Sequence, residues 1–272
     1  MSAEINELKT ALRVLADCPG WDARKALTAM CTVVVRSLSG EGMAAHRPPG
    51  LSAGFDLVGS PEYVVANNDE VQAVARAGFA YVAAVASAEP FTDIGFEVQD
   101  LFGSERERAR LSQHFTPSGL AQGALRFLPK NPKGDRQIVR MCDPTCGVGS
   151  MLLAGIAQHY QQHGKEGVAN LFVVANDIDP LCALLTATQI FANQIAHGIV
   201  LGAVQVFVSN VIKDYVSGPG GKALHMSSMT GFPERIAAED LLHQFERRWS
   251  RLEQAVSPDG GHVVEEVFDE GG

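Results

Sequence analysis

The chain contains no apolar run long enough to cross a membrane: its 272 residues include no uncharged apolar stretch of the roughly 18 residues that a spanning helix needs. Its opening residues, M-S-A-E-I-N-E-L-K, lack the basic-then-apolar layout of a secretory signal. Five cysteines, at 18, 31, 142, 146 and 182, include no C-x-x-C pair. Cys142 and Cys146 have no neighbouring His or Cys to complete a zinc site. They read as small core residues. An odd, scattered set of thiols points to a reduced compartment, so a cytoplasmic protein is expected, with no metal and no membrane partner. Positive charge is also short. Residues 1–140 carry 15 Lys and Arg against 16 Asp and Glu, and residues 141–272 carry 7 against 15, giving −1 and −8. The second half therefore repels a phosphate backbone and is not expected to bind nucleic acid by itself.

What remains is an ordinary globular composition, 46% hydrophobic, long enough for one large domain or two smaller ones. Residues 4–16 and 22–39 read as helices, with Leu8, Leu12 and Leu15, then Leu27, Met30, Val34 and Leu38, at helical spacing. Asp22 is placed to cap the second. Residues 40–59, with five glycines and two prolines, read as a loop. Ser60-Pro61-Glu62 has the form of a helix start, continuing through Asn68–Ser87 to near Pro90. Residues 1–90 are thus expected to form a helical bundle without chemistry of its own. The mixed-charge run Glu105–Arg110 reads as a solvated helix face, and a short helix is expected over Ser118–Phe127.

From Gln137 the pattern alternates: strand 138–142, helix 150–163, strand 171–175, helix 179–197, strand 204–208. That alternation predicts an α/β fold built on a βαβαβ unit, whose ligands bind beyond the carboxyl ends of the strands. Beyond Tyr215 the regularity fades. Residues 217–221 read as a loop and 233–255 as an amphipathic helix, with a short edge strand or acidic tail at the end. The expected division is a helical region over 1–103, a ligand-binding core over 104–216 and a C-terminal helix and tail over 217–272.

The three strand ends carry the chemistry. Asp143 ends the first strand and leads into a tight turn with Gly147 and Gly149, after which Ser150 opens a helix. The turn is not G-x-G-x-x-G, and no Lys follows it, so neither a dinucleotide pyrophosphate nor a nucleotide triphosphate is indicated. An acidic lead-in disfavours phosphate and favours a cationic amine or sulfonium. Asp177, beyond the second strand, is positioned to accept from ribose hydroxyls, and Asn210, after the third, to read an adenine edge. Asp179 beside it suits helix capping. His159, His163 and His197 read as helix-face residues with no ligand partners. The ligand indicated is S-adenosylmethionine.

D-P-T-C-G-V-G-S-M-L at 143–152 resembles the D-P-x-C-G-T-G-G signature of adenine-N6 DNA methyltransferases, especially the modification subunits of type I restriction systems. Q-H-F-T-P at 113–117 resembles that family's upstream motif, and N-D-I-D-P at 176–180 its x-E-x-D-P segment. Order and spacing agree over roughly residues 105–215. The resemblance implies a class I, Rossmann-like methyltransferase sheet, incomplete relative to seven strands, behind a helical N-terminal region. It implies a cofactor site formed by His114, Phe115, Thr116, Pro117, Asp143, Pro144, Cys146, Gly147, Gly149, Asp177, Ile178 and Asn210, with core packing the competing role for His114 and Phe115. The sequence departs from the family at Val148, Ser150 and Asp177, each a mild change. It departs more deeply in having no N-P-P-Y or N-P-P-F in 211–272, the motif that holds the flipped base. The expectation is therefore a cofactor-binding, methyltransferase-like protein without catalytic residues identified, engaging DNA only with help from another subunit. The alternatives are a non-catalytic homologue acting through protein partners, in support of or against a restriction–modification complex and through its acidic C-terminal half, and a methyltransferase for a non-DNA substrate.

Overall fold

The computed structural model describes residues 2–39, 52–55, 64–65, 68–101, 116–125, 139–210, 222–228 and 262–263. In chain order the elements are α1 (Ala3–Ala16), α2 (Ala23–Ser39), β1 (Ser52–Phe55), β2 (Val64–Val65), α3 (Asn68–Ser87) and α4 (Ile94–Glu97). They are followed by α5 (Ser118–Leu125), β3 (Val139–Asp143), α6 (Ser150–Val168), β4 (Leu171–Asp177), α7 (Pro180–His197), β5 (Ala203–Val208), β6 (Lys222–Ser228) and β7 (His262–Val263). The chain is mixed α/β, with β3, β4 and β5 parallel and adjacent. No described helix is long and apolar enough to cross a membrane.

Local chemistry accounts for the helix boundaries. The Ser2 hydroxyl accepts from the Ile5 N–H at the start of α1, and Asp22 accepts from the Lys25 N–H before α2. Asp93 caps α4 through the Phe96 N–H. Asp179 caps α7 through the Leu181 N–H, with Pro180 at the first helical position, where no N–H is needed. Gly198, with φ 56°, ends α7 in the left-handed conformation that glycine adopts without strain. The strands and helices of the βαβαβ region fall within a few residues of their expected bounds. β4 runs on through Asp177, and α6 continues past His163 to Val168, bending at Gly164.

Two strands of the five-stranded sheet fall where none was expected, and β2 is a third. Ser52–Phe55 lies in the glycine-rich stretch read as loop, and Lys222–Ser228 lies beyond Tyr215, where the sequence pattern loses its regularity. β6 runs antiparallel to β5 and β1 antiparallel to β6, so the five-stranded sheet has the order β1-β6-β5-β4-β3. Val64–Val65 is extended and pairs with His262–Val263, so the helix Asn68–Ser87 does not run on unbroken from the Pro61 region, and the helix start read at Ser60-Pro61-Glu62 lies outside the described residues. The N-terminal 90 residues are therefore not purely helical. The terminal segment does contribute a short strand, one of its two expected forms. Residues 1, 40–51, 56–63, 66–67, 102–115, 126–138, 211–221, 229–261 and 264–272 lie outside the described residues. With them go the readings of Glu105–Arg110, His114, Phe115 and the helix over 233–255.

The apolar core is continuous from α1 through β5. α7 lies at its centre, packed on α2 and α3 on one side and on β4 and β5 on the other. The sequence marks only one apolar side of this helix, yet every residue from Leu181 to His197 is buried. A helix enclosed on all sides must satisfy its polar side chains internally, and α7 carries several.

Candidate functional site

The parallel strands β3, β4 and β5 deliver their carboxyl ends side by side, with Asp143 opposite Ala175 and Asp177 opposite Val208. Asn176 holds those ends together. Its amide nitrogen donates to the carbonyls of Pro144 (3.0 Å) and Ser209 (3.1 Å), and its amide oxygen accepts from the Ser209 hydroxyl at 2.6 Å. The Asn176 carbonyl receives the Cys146 N–H at 2.8 Å. Asn210 follows Ser209 directly and is partly exposed beside this knot. Asn176 was not among the expected site residues, although it stands in the N-D-I-D-P segment.

Within the turn, the Asp143 carboxylate accepts the Thr145 N–H at 3.1 Å, closing a local loop of the kind Asp favours. Pro144 is exposed. Gly147 and Gly149 have φ of 55° and 93°, values costly for any residue with a Cβ. A Cβ on Gly149 would also stand 3.0 Å from the Thr186 hydroxyl oxygen. Gly149 is the residue before α6, which has no side-chain cap and no acidic residue in its first turn. The N-terminal end of α6 thus has no side-chain cap of its own, while the buried Asp93 carboxylate lies close to Ser150 in its first turn.

Asp177 reaches back across the turn. One carboxylate oxygen accepts the Gly147 N–H at 2.8 Å and the other the Asp179 N–H at 2.9 Å. A carboxylate offers about four acceptor positions, so two are in use. Burial raises the Asp177 pKa, the Asp179 and Gly147 N–H groups lower it, and the nearby charges of Asp179 and Asp143 raise it further. Burial also pushes Asp143 up, with the Thr145 N–H opposing. Among the described residues neither carboxylate is paired with Lys or Arg. Asp179, by contrast, meets Arg24 of α2 at 2.7 Å. Ile178, between the two aspartates, is 62% exposed, a large apolar side chain presented to solvent at the strand ends.

One expected site residue points elsewhere. The Cys146 side chain is buried, with its sulfur 3.6 Å from the Thr186 hydroxyl, and burial raises its pKa strongly. Thr116 and Pro117 precede α5, whose Ala121 packs on Ala154 and Met151 of α6. That contact sets the Thr116-Pro117 segment beside the helix that starts at the glycine turn. His197, read as a helix-face residue, is buried, with its Nε2 3.2 Å from the Val85 carbonyl. Among the described residues no three His, Cys, Asp or Glu side chains converge as metal ligands.

No protein-family model matches the chain, and no curated protein or solved structure gives a significant match. Function is therefore to be read from the site itself. It combines two unneutralised carboxylates, an uncapped helix N-terminus and an exposed apolar side chain at the ends of three parallel strands. Such a set can hold a ligand with a cationic centre, a carboxylate and a flat apolar portion. Thr186 and Gln189 of α7, absent from the expected set, secure the turn from behind: Thr186 donates to the Gly147 carbonyl at 3.0 Å and Gln189 to the Val148 carbonyl at 2.7 Å.

Proposed function

We propose that the chain binds S-adenosylmethionine at the Asp143–Ser150 turn as a methyltransferase-like protein of the adenine-N6 DNA type, and that it modifies DNA only together with a partner subunit. The observation that carries the cofactor reading is the pair Asp143 and Asp177, two carboxylates at the turn with no cationic side chain among the described residues to neutralise them. A sulfonium and an α-ammonium would supply that charge. The ligand's α-carboxylate suits the uncapped start of α6. The free acceptor positions of Asp177 suit ribose hydroxyls, and Ile178 suits the adenine face.

When bound, the cofactor supplies an activated methyl group. The residues of this chain hold and orient it, and they exclude phosphate ligands by charge. The acceptor side is different. No N-P-P-Y or N-P-P-F follows β5 in the sequence, and the acidic second half disfavours DNA. Both favour a partner that brings a basic DNA surface and the base-holding groups, to which an acidic half is complementary.

The test is a methyl-transfer assay with tritiated cofactor and mixed DNA. The chain alone should retain labelled cofactor in equilibrium dialysis without labelling DNA. Labelling of adenine by the chain alone would overturn the partner requirement, and absence of retention would overturn the cofactor site.

A further inference from the structure

α7 carries a stripe of polar residues, Cys182, Thr186, Gln189, Asn193 and His197, spaced four, three, four and four apart along one face of a buried helix. Each of the last four reaches a backbone group outside the helix. Thr186 and Gln189 hold the glycine turn. Asn193 accepts the Phe91 N–H at 2.6 Å, and His197 meets the Val85 carbonyl. Gln189 alone faces both ways. Its nitrogen donates to the Val148 carbonyl at 2.7 Å and to Asp93 at 3.1 Å, while its oxygen accepts the Gly95 N–H at 2.9 Å. It is fully buried, so water cannot replace these partners. The Asp93 oxygen that it meets also caps α4 through Phe96. Gly95 is closely fitted there: a Cβ on it would stand 2.6 Å from the Gln189 nitrogen and 3.1 Å from the Val148 Cβ.

One side chain thus joins the glycine turn to the segment that follows α3, more than 50 residues earlier in the chain. We propose that Gln189 is a positioning residue that sets the glycine turn for its ligand and couples occupancy of the turn to the order of the Phe91–Leu101 segment. The ligand part of this inference rests on the cofactor reading above; the mechanical part does not. Fixing the Val148 carbonyl orients the peptide leading into Gly149 and the first N–H groups of α6. A ligand that pulls on the turn pulls on Gln189, and through it on Gly95 and the α4 cap.

The experiment is amide hydrogen exchange by mass spectrometry on the full chain, following peptides over 91–101 and 144–152, with and without S-adenosylhomocysteine. Ligand affinity is measured in parallel by titration. The variants are Gln189→Leu, which removes all three bonds, Gln189→Glu, which keeps an acceptor for Gly95, and Thr188→Ala as a neighbouring control, since the Thr188 hydroxyl bonds to the Leu184 carbonyl and meets the Cys31 thiol of α2 rather than the glycine turn or the Phe91–Leu101 segment. In the unmodified chain the ligand should slow exchange in both peptides. Without ligand, Gln189→Leu should speed exchange in both at least several-fold more than Thr188→Ala does. With ligand it should bind about tenfold or more weakly and lose the slowing over 91–101, and Gln189→Glu, whose carboxylate keeps the Gly95 N–H but cannot donate to the Val148 carbonyl or to Asp93, should bind no better. If the unmodified chain shows no ligand effect, the cofactor reading and the ligand coupling fall together, and the ligand-free comparison still decides the positioning role. Equal exchange in Gln189→Leu and Thr188→Ala overturns that role. Normal affinity in Gln189→Leu with both peptides still protected overturns the coupling.

Discussion

The Asp177 carboxylate accepts the Gly147 N–H at 2.8 Å, so the acidic residue that ends one parallel strand closes the turn that follows its neighbour. The same carboxylate also receives the Asp179 N–H. It therefore braces the turn with two of its acceptor positions and keeps further ones unused at a largely buried carboxylate. Asp177→Asn keeps one accepting oxygen and removes the charge. It should leave the fold in place while weakening S-adenosylmethionine by an order of magnitude or more, as read by titration. Unchanged affinity would remove Asp177 from the site.

The pH dependence follows from the raised carboxyls. Asp143 and Asp177 hold their protons in the folded chain to a higher pH than in the unfolded chain. Their contribution to stability is fully present below the ordinary carboxylate value of about 4 and is lost as pH rises through their raised folded values. Ligand-free Tm should thus fall across that window, and the fall should be shallower in Asp143→Asn. A cationic ligand needs the ionised forms, so its affinity should climb with pH over the same range. A flat affinity profile would argue that no cation sits at these carboxylates.

Gly149→Ala should destabilise the chain. A left-handed residue with a Cβ costs about 1–2 kcal/mol by itself, and the added methyl would crowd Thr186. Thr186→Val tests the other side of the same contact, leaving the Gly147 carbonyl without its hydroxyl donor at a cost of about 1–3 kcal/mol. Denaturant titration should place the Gly149→Ala midpoint clearly below that of the unmodified chain. No shift would mean that the turn tolerates a side chain.

Thiol chemistry offers an independent check on burial. Cys142, read from the sequence as a small core residue, is instead exposed, because it faces away from the core on β3, whereas Cys31, Cys146 and Cys182 are buried. Burial lifts the Cys31 pKa to about 12 and those of Cys146 and Cys182 upward as well. A soluble alkylating reagent at mildly alkaline pH should modify Cys142 in the native chain and reach the other three only on unfolding. Native labelling of Cys146 would place that thiol outside the core.

The parallel strands and their helices are legible in the sequence because their signals are local. Asp179 with Pro180 opens α7, Gly198 closes it, and the apolar runs of β4 and β5 are short and bounded. β1 and β6 are not legible for the opposite reason. S-A-G-F and K-A-L-H-M-S-S lack an alternating apolar pattern, and each is extended because a distant strand pairs with it, as Ser52 does with Ser228. The candidate site divides the same way. Asp143, the glycines and Asp177 stand out by type and spacing. Asn176, Thr186 and Gln189 act through a backbone group across the fold, and only the spacing of polar residues in an apolar helix marks Thr186 and Gln189. The thiol of Cys146 turns to Thr186 because α7 lies behind the turn, a tertiary fact with no local signal.

Calorimetric titration of the full chain with S-adenosylmethionine, set against NAD and ATP, tests the central claim most directly. Saturable binding of S-adenosylmethionine at one site per chain is predicted, weakened by Asp177→Asn and by Asp143→Asn, with neither phosphate-bearing nucleotide binding comparably. Absence of heat with S-adenosylmethionine, or binding of NAD or ATP at equal strength, would contradict it.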